Sequence, residues 1–97
     1  MTDLVITHQP DRHCFEVVAD GLSCLCAYSL QGSTVVFTST RVPSAVGGRG
    51  IAAALVEAAL SWARAQGHRV RPDCSYVHRY IAQHPATQDL LIDGYRL

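Results

Sequence analysis

Residues 42–52 read VPSAVGGRGIA, and this stretch decides the fold because the chain changes there from strand-like to helix-like patterning. Its glycines, Gly47, Gly48 and Gly50, let the backbone turn tightly and direct several N–H groups toward one point. The start of a helix adds unpaired donors and partial positive charge. The stretch therefore predicts a phosphate or pyrophosphate site at a helix N-terminus. An ordinary glycine-rich turn is the alternative interpretation.

The common nucleotide-binding glycine motifs do not occur in this loop. The dinucleotide pattern G-x-G-x-x-G is not satisfied, and G-x-x-x-x-G-K-[ST] requires a lysine. The chain has no lysine, because the 8 residues counted together as lysine and arginine are all arginine. Any phosphate must therefore be held by arginine, hydroxyl or backbone N–H groups, and a catalytic lysine is excluded.

The segment after the glycines predicts a long helix over residues 50–66. Apolar side chains recur there at helical spacing: Ile51, Leu55, Ala58, Ala59 and Trp62. Glu57, Ser61 and Arg64 form only a narrow polar stripe, which predicts burial along most of the helix. Gly67 is typical of a residue that ends a helix.

The segments on both sides of this helix predict an α+β fold. Alternating apolar residues and turn signals predict four antiparallel strands before the helix, over residues 4–7, 14–19, 22–30 and 34–38. A fifth strand at residues 68–72 follows the helix, and the right-handed crossover rule makes it parallel to the fourth. Ser75 is the expected N-cap of a helix over residues 76–83, and a last short helix is expected near residues 87–91. The prediction is a mixed, mostly antiparallel five-stranded sheet.

Length and charge limit the kind of protein this is. With 97 residues, 48% hydrophobic and 16% charged, the chain is expected to form a single domain over residues 1–97. Its formal net charge is 0, so no basic excess attracts nucleic acid or an anionic membrane surface. The N-terminal residues do not resemble a signal peptide, and the apolar run at 51–60 is too short to span a membrane. A cytoplasmic location is therefore expected.

Four cysteines in such a chain are expected to be reduced thiols. Cys24 and Cys26 are two apart on one predicted strand, a spacing too wide for a disulfide. A zinc site built from His13, Cys14, Cys24 and Cys26 is the metal alternative. The C-x-C spacing is too tight for a zinc knuckle, so no metal site is predicted.

Residues 47–52 resemble the phosphate loop [Q/R]-x-x-G-x-[G/A] of the GNAT superfamily of acyl-CoA-dependent N-acetyltransferases, except that Gly47 stands at the first position. The chain looks most like the minimal GNAT-like group, which has about this length. The shared features are Val42-Pro43, residues 48–52, Leu55-Val56, Pro72-x-Cys74, Tyr76-Val77, Tyr80 and His84-Pro85. The resemblance covers almost the whole chain.

The resemblance implies a binding site for acetyl-CoA as the acetyl donor. The backbone N–H groups of residues 48–52 would hold the CoA pyrophosphate, with the Arg49 guanidinium nearby. Pantetheine would lie between the fourth and fifth strands, beside residues 40–42. The implied cofactor-binding residues are therefore Thr40, Arg41, Val42, Gly47, Gly48, Arg49, Gly50, Ile51 and Ala52.

Cys74 and Tyr80 are the candidate catalytic residues. The resemblance implies that the thioester lies near Cys74, as an acyl acceptor or a polar lining group, and that a tyrosine such as Tyr80 protonates the leaving thiolate. Tyr76 is four residues from Tyr80 and would share its helix face. A small buried hydrophobe is the structural alternative for Cys74, and packing with a satisfied hydroxyl is the alternative for Tyr80. His8, His13, His68 and His78 have no identifiable partner and are expected at the surface, and His84 is expected to be a capping or surface residue at a helix end.

The predicted function is transfer of an acetyl group from acetyl-CoA to an unidentified primary amine. Two departures from the superfamily pattern keep alternatives open. Only residues 9–12 separate the first two strands, where the superfamily usually has helices, and residues 38–41 lack its common glutamate base. A CoA-binding or acyl-CoA-binding module without turnover is the first alternative. A small protein-interaction domain is the second.

Overall fold

Five strands form one sheet in the order β1-β2-β3-β4-β5 in the computed structural model, which describes residues 4–97. The strands are β1 (Thr7–Gln9), β2 (Cys14–Ala19), β3 (Leu22–Gln31), β4 (Thr34–Arg41) and β5 (Arg69–Pro72). β1 to β4 pair antiparallel, and β5 pairs with β4 in parallel. The predicted mixed, mostly antiparallel sheet is confirmed, as is the parallel crossover into β5.

Two α-helices follow the glycine loop and β5. They are α1 (Ile51–Ala65) and α2 (Ser75–Gln83), with 3₁₀ turns at Pro10–Arg12, Ser44–Val46 and Pro85–Leu90. The helix predicted over residues 50–66 is confirmed, because Gly50 and Gln66 are its caps. The short helix predicted near residues 87–91 is a 3₁₀ turn that spans Pro85–Leu90.

The predicted N-cap of α2 was wrong by one residue. Cys74 is the N-cap, with extended backbone at φ −73° and ψ 128°, and Ser75 is the first helical residue. The Cys74 N–H donates to the Phe37 carbonyl oxygen at 2.9 Å. This bond to β4 keeps the backbone of Cys74 extended, so the helix begins at Ser75.

Two strand boundaries also differ from the prediction. β1 is shifted to Thr7–Gln9, and Leu4 and Ile6 contribute apolar side chains to the core from outside the strand. β4 continues to Arg41 because β3 pairs with it along that length. A β-bulge opposite Ala27 and Tyr28 shifts the register of β3 and β4, and the two strands then continue to pair as far as Arg41.

Both helices share one continuous apolar core with the sheet. The core residues that are completely buried include Val35 and Phe37 of β4, Leu55, Val56 and Ala59 of α1, and Val77 and Ile81 of α2. The predicted polar stripe of α1 is confirmed, since Glu57, Ser61 and Arg64 are exposed. All four cysteines are free, as expected. Within residues 4–97, no helix is long and apolar enough to cross a membrane.

β4 and β5 separate at the end that leads to the glycine loop. Their parallel pairing runs from Thr34 opposite Arg69 to Phe37 opposite Pro72. Beyond Phe37, β4 continues to Arg41, and among the residues that the structure describes its partner strand there is β3 alone. An unpaired edge of β4 therefore lies between the glycine loop and the start of α2.

Candidate active site

The glycine loop presents a group of backbone donors at the start of α1. Gly48 and Gly50 have φ of +77° and +76°, a left-handed conformation that glycine adopts without strain. Val46 is buried and anchors the loop to the core. Within residues 4–97, no oxygen accepts from the N–H groups of residues 48–50, and the first intrahelical bond of α1 is that of Ala54 to Gly50. The N–H groups of residues 48–53 are therefore available to an anion.

A cavity of about 310 Å³ lies against these donors. It is lined by Val42, Val46, Gly47, Gly48, Gly50, Ile51, Ala52, Ala53 and Tyr76. Most of the predicted cofactor-binding residues thus surround one space. We call it the glycine-loop cavity. Its unpartnered donors and small side chains fit a pyrophosphate with an attached chain.

Three predicted cofactor-binding residues do not line this cavity. The Arg49 guanidinium forms an ion pair with Asp20 at 2.7 Å, in the turn between β2 and β3. Arg41 is exposed at the end of β4, and the Thr40 side chain points to Cys74. Sequence reasoning missed the Asp20 contact, because Asp20-Gly21 is fully explained as a hairpin dipeptide.

Thr40 and two cysteines form a polar cluster where β4 and β5 separate. The Thr40 hydroxyl lies 3.4 Å from the Cys74 Sγ, and Thr40 is paired across the strands with Cys26. Burial raises the pKa of the Cys26 thiol to about 12, although its hydrogen bond with Thr40 acts in the opposite direction. Cys26 is therefore a neutral, inert thiol, whereas Cys74 lies at the rim of the core with 9% exposure.

The two tyrosines of α2 face different spaces. Tyr76 lines the glycine-loop cavity. The sequence marked Tyr76 as a shared motif residue and by its spacing to Tyr80, without assigning it to this site. Tyr80 stacks on His84 with ring centroids 3.8 Å apart and lines a smaller cavity of about 70 Å³ beside Glu57. Burial, with the nearby Glu57 carboxylate, raises the pKa of Tyr80.

The expectation that His8, His13, His68 and His78 are unpartnered surface groups was wrong for three of the four. His8 and His78 each contact a tyrosine hydroxyl at 2.7 Å, Tyr28 and Tyr95 respectively. His68 Nδ1 lies 3.0 Å from the Ser33 carbonyl oxygen. These partners are far away in sequence, so no local signal identifies them. His13 and His84 are exposed as expected, and His84 is the C-cap of α2.

The cysteines and histidines do not combine into a metal site. Across the part of the chain that the structure describes, no three His, Cys, Asp or Glu side chains are arranged to hold a metal ion.

A family model for the GCN5-related N-acetyltransferase domain matches residues 14–90, a stretch that contains both the glycine loop and Cys74. The chain belongs to this family. Its general activity is therefore that of an acetyltransferase. Comparison with curated protein sequences finds no significant match.

Among solved structures, the fold of this GCN5-related domain is similar to that of a GCN5-like protein from Staphylococcus aureus, determined in solution by NMR. The two share 21% sequence identity with a TM-score of 0.74. The alignment covers 95% of this chain and 91% of the other, so the likeness extends over the whole sheet and both helices.

Proposed function

We propose that this domain transfers an acetyl group from acetyl-CoA to a primary amine. The observation that carries the proposal is the set of N–H groups of residues 48–53, which have no acceptor within residues 4–97 and lie at the start of α1, where all of these residues except Arg49 line one cavity. Bound there, acetyl-CoA supplies a thioester whose acetyl carbon is open to attack by an amine. The helix dipole and the converging donors stabilise its pyrophosphate without any lysine.

The unpaired edge of β4 supports a path from this cavity toward Cys74. Within residues 4–97, no strand pairs with residues 40–42 on the β5 side, because pairing between β4 and β5 ends at Phe37. Pantetheine is itself an amide chain and can hydrogen bond to such an edge as an additional strand would. Val42 lines the cavity at one end of the path, and Thr40 contacts Cys74 at the other.

Cys74 and the Thr40 hydroxyl are proposed to border the thioester. In this role Thr40 and backbone donors stabilise the negative charge that develops on the acetyl oxygen. Most of the rate enhancement then comes from positioning the amine against the thioester. Cys74 acts as an acyl acceptor or as a lining group, and Cys74→Ala distinguishes the two roles. Loss of an acyl acceptor abolishes transfer, whereas loss of a lining group lowers it only partly.

A tyrosine of α2 is proposed to protonate the leaving CoA thiolate. Tyr80 is the residue implied by the resemblance, and Tyr76 is favoured by its position on the glycine-loop cavity. Matched Tyr76→Phe and Tyr80→Phe variants remove one hydroxyl each. The tyrosine that acts as general acid is the one whose variant loses about 10²-fold or more in turnover while acetyl-CoA affinity is retained.

Acetyl-CoA titration followed by ¹H–¹⁵N NMR tests the proposal. The expected result is saturable shifts of the amides of residues 48–52, with release of CoA thiol when an amine is added. An absence of shifts in the loop would overturn the proposal.

A CoA-binding module without turnover is the second candidate. It is favoured by the connection between β1 and β2, which is only the turn Pro10–Arg12 and adds no helix that could shape an acceptor site. Loop shifts without thiol release, in wild type and in Cys74→Ala alike, would support this candidate.

A further inference from the structure

An open groove of about 650 Å³ lies on a face of α2 away from the glycine-loop cavity, and the two spaces share no lining residue. The groove is lined by Pro72, Asp73, Ser75, His78, Arg79, Ala82 and Tyr95. Its volume lies within the roughly 300–1,000 Å³ of small-molecule sites. We call it the α2 groove.

Cys74 lines neither space, but its sequence neighbours lie on both. Its neighbours Asp73 and Ser75 line the groove, whereas Tyr76 lines the cavity. The chain passes from one space to the other within these four residues. A donor thioester near Cys74 would therefore be within reach of a molecule bound in the groove.

Tyr95 links His78 to the end of β5 by hydrogen bonds. Its hydroxyl lies 2.7 Å from His78 Nδ1 and 3.3 Å from the Pro72 carbonyl oxygen. When the hydroxyl donates to Pro72, it accepts from a protonated Nδ1, and Nε2 is then the nitrogen that accepts a proton.

Two groups of opposite charge also line the groove. The Asp73 carboxylate receives two bonds from the Arg71 guanidinium, at 3.0 and 3.1 Å, and retains further lone pairs for another donor. Arg79 is exposed, and no acidic side chain within residues 4–97 pairs with it. The groove thus combines a carboxylate, a histidine base and an unpaired guanidinium.

We infer that the α2 groove binds the acetyl acceptor, and that the acceptor is a small primary amine carrying an acidic group. This inference rests on the proposed acetyltransferase function. Asp73 binds the ammonium group, Arg79 binds the acidic group, and His78 is the base. A guanidinium suits both carboxylate and phosphate, so the acid itself can be either.

The proposed reaction balances in protons and bonds. His78 Nε2 removes one proton from the bound ammonium, and the resulting neutral nitrogen attacks the thioester carbon. The N–C bond forms and the C–S bond breaks. The CoA thiolate leaves and takes up the second nitrogen proton through a hydroxyl or solvent, and His78 returns its proton to solvent.

Binding of matched amines to the full chain tests the inference. The probes are L-alanine, phosphoethanolamine and L-alaninamide, which carry a carboxylate, a phosphate and no acid respectively. In ¹H–¹⁵N NMR titrations, the acidic probes are expected to shift the amides of Asp73, Ser75, His78, Arg79 and Tyr95. L-Alaninamide is expected to bind about tenfold or more weakly, because it cannot pair with Arg79.

Two variants assign the roles of Arg79 and His78. Arg79→Gln is expected to lower the affinity for the better acidic probe by about tenfold to a hundredfold and to leave L-alaninamide unchanged. His78→Gln is expected to retain probe binding and to lose about 10²-fold to 10⁴-fold in thiol release with acetyl-CoA. His78→Asn is the second variant for the same loss, and the amide spectrum away from the groove reports that each variant is folded.

The inference would be overturned by two results: no groove shifts with any probe, or equal affinity for L-alanine, phosphoethanolamine and L-alaninamide. Acetyl-CoA shifts at residues 48–52 are recorded on the same samples. If those shifts are absent, the proposed acetyltransferase function fails, while binding in the groove is still measured independently. If the loop responds and the groove does not, only the acceptor assignment fails.

Discussion

The glycine-loop cavity and the α2 groove differ in the part of the chain that provides their polar groups, which is the backbone in the cavity and side chains in the groove. The cavity is formed mainly by one continuous stretch, in which backbone N–H groups provide the polarity and small apolar side chains provide the walls. The groove is formed by charged and aromatic side chains from β5, α2 and the C-terminal segment. A site made of backbone depends on local conformation, whereas a site made of side chains depends on tertiary structure.

This difference predicts that charge inside the glycine loop has the largest effect on donor binding. Gly50→Asp introduces a carboxylate at the start of α1, where the backbone is left-handed at φ 76°, a conformation that Asp and Asn adopt more readily than other non-glycine residues. The helix should therefore form, while the new charge opposes the CoA pyrophosphate. We expect a loss of about 2–4 kcal/mol in acetyl-CoA binding, or roughly 30-fold to 1,000-fold, measured by calorimetry.

Gly50→Asn is the matched control for that variant. It has the same shape and the same tolerance of positive φ, and it carries no charge. We expect it to bind acetyl-CoA within about fivefold of wild type. Equal losses in both variants would mean that the loop is only a structural turn and that its donors do not meet an anion.

His8 provides an internal reference for His78, because both histidines contact a tyrosine hydroxyl at 2.7 Å. His8 differs in its surroundings: its ring stacks on Phe15 with centroids 4.1 Å apart and meets the edge of Trp62. Removing the hydrogen bond and the stacking in His8→Ala should reduce the free energy of unfolding by about 2 kcal/mol. Denaturant unfolding measures the loss.

Burial lowers the pKa of His8 in the folded chain below its usual 6.5. Below pH 6.5 and down to this lower folded pKa, the unfolded chain binds more protons than the folded chain. The contribution of His8 to stability is therefore present above about pH 6.5 and is lost as the pH falls from there through the folded pKa. His8→Ala should therefore be less sensitive to acid than wild type. An identical pH dependence in the two proteins would contradict this assignment.

Tyr95→Phe tests whether the groove and the glycine-loop cavity act independently. The variant removes the hydroxyl that lies 2.7 Å from His78 Nδ1 and 3.3 Å from the Pro72 carbonyl oxygen. We expect turnover to fall about tenfold, or roughly 1.4 kcal/mol, because the orientation of the base is lost. Affinity for acetyl-CoA, measured by calorimetry, should stay constant. A matched fall in donor affinity would mean that the two spaces are coupled.

The contrast between the two regions also explains what the sequence could predict. Alternation, glycine turns and the apolar stripe of α1 are local signals, and they predicted the sheet and both α-helices. Cavity residues such as Gly48 and Ile51 were predicted because they are contiguous. Tyr95 and Pro72 are 23 residues apart and meet only through the folded C-terminal segment, so no periodicity marks their contact. Boundaries such as β1 and the cap of α2 depended on individual hydrogen bonds.

The ion pair between Asp20 and Arg49 is the contact that sequence reasoning missed within the loop itself, and it leads to the smallest expected effect. Both side chains are about half exposed, Asp20 at 64% and Arg49 at 48%, so the pair contributes only about 0.2–1 kcal/mol.

An anion can bind the Arg49 guanidinium only after Arg49 releases Asp20. Asp20→Asn should therefore raise acetyl-CoA affinity by up to about fivefold at low salt, and the gain should shrink as added salt screens the pair. Asp93→Asn, another exposed aspartate, is the control for the change in net charge. Calorimetry of both variants at two salt concentrations measures the difference, and a loss of affinity in Asp20→Asn would mean that Asp20 instead orients Arg49 for the pyrophosphate.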